Sequence, residues 1–186
     1  MTNRTDILLA ACLLAGLCGP ALAATVAAQP LQVNGDVPVR CKLSPPAAGT
    51  SVNTSFAPNS NGGDLTLTGL VDPDTALTRA TESVIQIPII CSGAYSLTIT
   101  SQGGLSNQNA SAPSGGFATH VNYLLSANWA GATQSVETAG SAVTLDLSQS
   151  GSQAGNLSID FSLPAGRGPL VAGTYTDEIT IQLNAQ

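Results

Sequence analysis

The chain has 186 residues and a formal net charge of −6, and charged side chains make up only 9% of it. That length suits one domain of ordinary size. The sparse, acid-leaning charge excludes the electrostatic attraction that nucleic acids and anionic membranes demand of a protein surface. Ser, Thr, Asn and Gln supply polarity in place of charge, and 19 glycines and 11 prolines supply turns. β-Branched residues are plentiful and no long stretch after residue 30 has helical spacing, so an all-β domain is predicted.

Residues 1–23 differ from the rest. Arg4 precedes an apolar run from Ile7 to Leu17, and Pro20 precedes Ala21-Leu22-Ala23. This is the pattern of a secretory signal peptide cut after Ala23. The run is too short to span a bilayer comfortably. Leu9-Ala10-Ala11-Cys12 superficially resembles a lipoprotein box, but too little apolar sequence precedes it. Cleavage removes Cys12 and Cys18 and leaves Cys41 and Cys91. Two cysteines in an exported chain most simply form a disulfide. Closing a loop of about 50 residues is worth roughly 4 kcal/mol in the chain-entropy description. A metal site is the rival, and two thiols without nearby His or carboxylates make a poor one.

Residues 24–36, ATVAAQPLQVNGD, carry few charges and no turn signal before Asn34-Gly35. A free N-terminus of this kind is usually disordered. Yet Leu31, Val33, Val37, Val39, Cys41 and Leu43 share one parity. A first strand is predicted over Val37 to Leu43, preceded by an extension able to act as a strand itself. Pro30 and Pro38 each lack a ladder donor and belong at an edge or a break. Residues 44–63 read as loop. Leu65 and Leu67 mark a short strand, and Asp72-Pro73-Asp74 marks a turn. The acids there lack the spacing of a calcium loop. Val84 to Cys91 is nearly continuous apolar, a strand covered on both faces or close to it, with Pro88 at a bulge or edge. Ser92-Gly93 turns the chain into a strand carrying Tyr95, Leu97 and Ile99, and the pair reads as a hairpin.

Residues 102–116 read as a polar loop. Phe117, Val121, Tyr123, Leu125, Ala127 and Trp129 then share one parity, in one long strand or two in line. Val143, Leu145 and Leu147 make another strand. Leu157, Ile159, Phe161 and Leu163 make the next, which ends at Pro164-Ala165-Gly166-Arg167-Gly168-Pro169. The last stretch, residues 173–183, is GTYTDEITIQL. Tyr175, Ile179, Ile181 and Leu183 fall on one face and Thr174, Thr176, Glu178, Thr180 and Gln182 on the other. Three residues follow Leu183, too few for another strand, so the position beside this one is expected to be left unfilled by the chain. Strands at short intervals with Gly/Pro turns between them predict a β-sandwich.

Catalytic chemistry finds little footing. His120, the only histidine, is expected to face solvent from the polar side of its strand. The carboxylates are scattered among turns and strand ends. Asp177 alone falls on the apolar parity of the last strand, where bonding to backbone groups at the strand's mouth would accommodate it. No glycine-rich loop precedes a helix. Trp129 is read as core or rim in preference to a sugar platform. No enzyme, metal or cofactor is expected.

The order of these features resembles a known family. Cys41 stands in the first strand, IPIICSGAYSLTITS surrounds Cys91, HVNYLLSANW lies mid-chain, and LVAGTYTDEITIQL closes the chain. With the signal peptide and the apolar extension, this is similar to the spore coat protein U domain, the pilin domain of archaic chaperone–usher fimbriae. The most specific parts are Cys-x-Gly-x-Tyr at Cys91, Gly93 and Tyr95, and Gly-x-Tyr-x-Asp at Gly173, Tyr175 and Asp177. The aromatic-glycine pair expected after the first cysteine is absent, Phe56-Ala57 being the nearest match.

The resemblance implies an immunoglobulin-like β-sandwich that lacks its final strand. A periplasmic pilus chaperone lends one, and at the outer-membrane usher the next subunit's extension replaces it. Such an exchange is β-strand addition and, being head to tail, builds a filament of like or mixed pilin subunits. On this chain the resemblance implies a signal peptide at 1–23, a donor extension at 24–36 and a pilin-like domain at 37–186. The donor residues are Val26, Ala28, Leu31 and Val33. The acceptor groove and chaperone contact comprise Tyr175, Ile179, Ile181 and Leu183, and the Cys41–Cys91 disulfide holds the first strand. The product is exported through the periplasm to a surface fimbria serving adhesion and biofilm formation, with no nucleic-acid partner. The alternative is a self-contained secreted β-sandwich that binds carbohydrate or forms a coat or matrix. Aromatic residues, at 4%, are few for a sugar-binding platform.

Overall fold

The computed structural model describes residues 32–110 and 115–186, and every regular element among them is a β-strand. The chain divides into two units, residues 1–36 and 37–186. Of the first, residues 32–36 are described; they are exposed and form no strand. The second carries β1 (Cys41–Leu43), β2 (Ala47–Val52), β3 (Thr54–Asn59), β4 (Gly62–Leu67), β5 (Thr81–Cys91), β6 (Tyr95–Ser101) and β7 (Leu105–Ser106). It continues with β8 (His120–Val121), β9 (Leu124–Trp129), β10 (Ala132–Glu137), β11 (Val143–Asp146), β12 (Gln153–Leu163) and β13 (Ile179–Ala185).

Two main sheets face each other, as in a β-sandwich. One has the order β1-β5-β12-β9-β10, with β2 also paired to β5; the other is β11-β6-β13. β3–β4 and β7–β8 are separate two-stranded ribbons. Alternate residues of β5, β6, β9 and β12 turn inward, and Ile89, Leu97, Ile99, Leu125, Leu157 and Leu163 are fully buried between the sheets. Trp129 is also buried, at 1% exposure, and its indole N–H donates to the Tyr95 hydroxyl, so it belongs to the core. Cys41 and Cys91 stand opposite each other in β1 and β5 and are joined by a disulfide.

Strand direction gives the sandwich two distinguishable ends. Cys91 of β5 pairs with Cys41 and with Gln153, and a three-residue link leads from it to Tyr95, which pairs with Ala185. These residues mark the disulfide end. Thr81 pairs with Leu163, and Ser101 pairs with Ile179, at the opposite end.

Several expectations need correction. The first strand begins at Cys41, not Val37; Val37 and Val39 are exposed. Residues 44–63, read as loop, contain β2, β3 and the start of β4. β2 is exposed along its whole length, so no hydrophobic alternation advertises it. The hairpin expected around Ser92-Gly93 is a crossing between sheets: β5 pairs with β1, β2 and β12, whereas β6 pairs with β11 and β13. β5 is covered on one face only at its end, since Ile90 is 59% exposed. The last strand starts at Ile179, six residues after Gly173. β10, six residues of mostly polar edge strand, was not anticipated.

Pro88 sits where the break in β5's neighbour tolerates it. Its carbonyl accepts from the Ser44 amide, so its amide position faces the same edge. There β1 has ended and β2 has not begun, and the chain passes through Pro45-Pro46. The missing donor therefore faces an interruption and not a ladder.

Candidate strand-binding groove

The two long sides of the sandwich are finished differently. On the β10–β11 side, the Gln134 side chain joins the sheets. Its Nε2 donates to the Asp146 carbonyl at 2.5 Å, and its Oε1 accepts from the Asp146 amide at 3.1 Å. One side-chain amide thus serves both main-chain groups of an edge residue. No such link joins β1 to β13 among the described residues.

On that side lies a cleft of about 1010 Å³. Its floor is core, all under 10% exposed: Ile87, Ile159 and Phe161 from the larger sheet, Leu105 from the β7–β8 ribbon, and Tyr123 from the link between β8 and β9. One wall is Leu43 to Pro46, a second is the β3–β4 ribbon with Phe56 and Leu65, and the third is the run from Gly173 to Ile181. Of the residues expected in an acceptor groove, Tyr175, Ile179 and Ile181 line the cleft. Leu183 does not; it is half-buried against the core nearer the disulfide end. Val33 is 85% exposed in the N-terminal unit, and Val26, Ala28 and Leu31 lie outside the described residues.

The backbone along this cleft has a definite polarity. Gln102 donates to Glu178, and Gln186 donates to Ala94, so even-numbered residues of this segment direct their main-chain groups toward β6. The groups of Ile179, Ile181, Leu183 and Ala185 then point to the other edge. Among the described residues no strand pairs with that edge. β1 behaves likewise. Arg40 and Ser44 bond toward β5, which leaves the main-chain groups of Cys41 and Leu43 directed away from it. The same odd residues of β13 turn their side chains inward, so one set of positions offers both an unpaired ladder and an apolar face.

The Gly-x-Tyr-x-Asp run forms the third wall through three contacts. A Cβ on Gly173 would lie 2.2 Å from Asn107 Nδ2, and its φ of +151° disfavours other residues. The Tyr175 hydroxyl lies 2.9 Å from the carbonyls of both Ala118 and Val171. Asp177 accepts from Ser101 Oγ at 2.7 Å, Tyr123 Oη at 2.5 Å and the amides of Gly104, Gln102 and Glu178 at 3.1, 3.2 and 2.8 Å. As expected for an acid on the apolar parity, it is bonded to backbone groups at the strand's mouth. Burial, reinforced by the Asp177 hydrogen bond and charge, pushes the Tyr123 phenol well above its ordinary value.

His120 is half-buried and not solvent-facing, with Nε2 2.6 Å from Asn122 Oδ1. It is not among the residues that line the cleft. Among the described residues no group of three or more His, Cys, Asp or Glu is placed to hold a metal ion. No protein-family profile, curated protein or solved structure matches this chain.

Proposed function

We propose that this chain is a structural subunit of a surface fimbria, polymerised by strand exchange after export and serving adhesion and biofilm formation. The observation that carries this reading is the apolar cleft beside the unpaired edge of β13. An inserted strand would bond to the main chain of Ile179, Ile181 and Leu183 and lay alternate side chains on the Ile87–Phe161 floor. In this reading the sandwich is immunoglobulin-like and lacks its last strand, as the likeness to spore coat protein U pilins implies. A pilus chaperone fills the cleft in the periplasm, and residues 24–35 of the next subunit fill it after passage through the usher.

The extension suits such a cleft because residues 24–35 carry no charge. Two strands flanking a third stand about 9–10 Å apart. β1 and β13 approach within 8 Å, so insertion parts them at the narrow point. The disulfide to Cys91 keeps β1 on β5 while they separate.

Deleting residues 24–33 tests the assignment of the donor. The shortened chain should still be recovered soluble with a pilus chaperone and should cap, but not extend, a polymer. Unchanged polymerisation would refute it.

A further inference from the structure

Charge is not spread evenly along the sandwich. Arg40 and Lys42, both exposed, flank Cys41 at the disulfide end, where the extension joins β1; exposed Asp36 is the one acid in the segment leading to them. The opposite end is acidic. Glu178 adjoins β13 there, and Asp72 and Asp74 form the turn whose return strand bonds to Arg167 just past Leu163. Asp64 and Glu178 line the cleft itself. Of the bases at this end, Arg167 is already paired with Glu137 at 2.8 Å, which leaves Arg79. That ion pair is the only salt bridge among the described residues, so neither Arg40 nor Lys42 has a carboxylate partner within its own chain there.

We infer that Arg40 and Lys42 of one copy dock on the acids lining the cleft, Glu178 and, on the β3–β4 ribbon wall, Asp64, of the copy that holds its extension. The inference rests on the strand-exchange reading and adds a second, electrostatic contact to it. The occupant is a second copy of this chain because the two complementary surfaces belong to opposite ends of one molecule. Such a pair stacks head to tail without limit and cannot satisfy itself in a closed dimer.

The tether limits the geometry. Between Val33 and Cys41 lie Asn34 to Arg40, seven residues that span at most about 25 Å. If the inserted extension runs antiparallel to β13, it leaves the cleft at the acidic end and brings the incoming copy's basic pair to that end. A parallel strand would exit at the disulfide end and set basic pair against basic pair. The charge distribution therefore selects the antiparallel direction. Held this close, the two patches meet at high effective concentration. Their main effect is on the rate of engagement, since exposed charges steer encounter more than they tighten binding.

The test is assembly from purified chaperone-bound full-length mature chain, scored as growth of a heat-sensitive ladder on a denaturing gel. Arg40→Glu with Lys42→Glu should slow growth about tenfold at low salt, and the deficit should vanish at high salt. Adding Asp64→Lys and Glu178→Lys to the same chain should restore the rate to within about threefold. Glu178→Lys alone, a single exposed change, should slow growth about threefold and covers the case in which the multiple variants fold poorly. Reversal variants that assemble at the native rate at low salt, or a fourfold variant no faster than the double, would overturn the contact. The chain lacking residues 24–33 separates the two ideas. If it still assembles, strand exchange and the charge contact both fall; if it does not, while charge reversal has no effect, only the contact falls.

Discussion

Asp177 and Tyr123 illustrate how a polar pair is tolerated at the rim of an apolar cleft. Asp177 has five donors, so its charge is balanced by hydrogen bonds and not by a cation. Tyr123 spends its proton on that carboxylate and packs its ring on Phe161 at 4.5 Å. Tyr123→Phe should cost about 2 kcal/mol, the worth of a hydrogen bond to a charged group. The pH sign follows from the raised phenol. Its folded value lies above the ordinary value near 10, so the unfolded chain releases the proton first. The stabilisation is complete below about pH 10 and is lost as pH rises above it. Tyr123→Phe should accordingly flatten the alkaline limb of a denaturation series run from pH 8 to 11.5. Burial raises the Tyr95 phenol too, so some alkaline slope remains in the variant. A wild-type limb that is already flat would contradict the assignment.

Among the elements, β13 matters most, and its two edges can be separated by substitution. The main-chain groups of Thr180 and Gln182 serve β6, and those of Ile181 serve the open edge. Ile181→Pro thus removes an edge donor without touching the ladder, whereas Ile181→Ala removes side-chain contact and leaves the donor. Both should lower stability by about 2–4 kcal/mol through lost burial. The proline variant should polymerise at least about tenfold more slowly than the alanine variant, corresponding to one main-chain hydrogen bond. Equal rates in a ladder assay would mean that the edge takes no strand.

What could be read in the sequence also divides by element. β5, β6, β9, β11 and β12 were legible because one face of each is buried, and burial enforces alternation. β2 and β10 were not, since edge strands with little buried surface carry no such period. The Cys91–Tyr95 crossing could not be told from a hairpin: a tight turn between two alternating runs has the same local pattern whether the second run rejoins its sheet or enters the facing one. The strand predicted from Gly173 starts late for a chemical reason. Asp177 captures the amides of Gly104 and Glu178 and shares that of Gln102 with the Glu178 carbonyl, so a carboxylate intrudes where the ladder begins. Parity put Tyr175, Ile179, Ile181 and Leu183 on one face and the family resemblance made that face a groove; the cleft gathers the first three but not Leu183. The β3–β4 wall had no signal beyond Leu65 and Leu67, because its pairing is internal to the ribbon.

At the scale of residues 37–186, the two sheets are joined on one long side and, among the described residues, unjoined on the other. Gln134 joins the sheets between β10 and β11, while the β1–β13 side exposes a core-lined cleft between two strands that both present unpaired main-chain groups. An open edge with apolar surface beside it invites pairing with another chain. On the proposed function, the same two features are why a chaperone is needed before assembly and why assembly needs no new fold. The charge poles add direction to this asymmetry, with bases at the foot of the extension and acids lining the cleft.

The central claim, that β13 accepts a strand, is tested most directly by amide hydrogen exchange. A synthetic peptide of residues 24–35 would be added to the chaperone-bound chain lacking residues 24–33, and exchange followed after the chaperone is displaced. The account predicts strong new protection at the amides of Ile179, Ile181 and Leu183, with those of Thr180 and Gln182 already protected by β6. Unchanged, rapid exchange at the three odd positions with peptide bound elsewhere or not at all would contradict it.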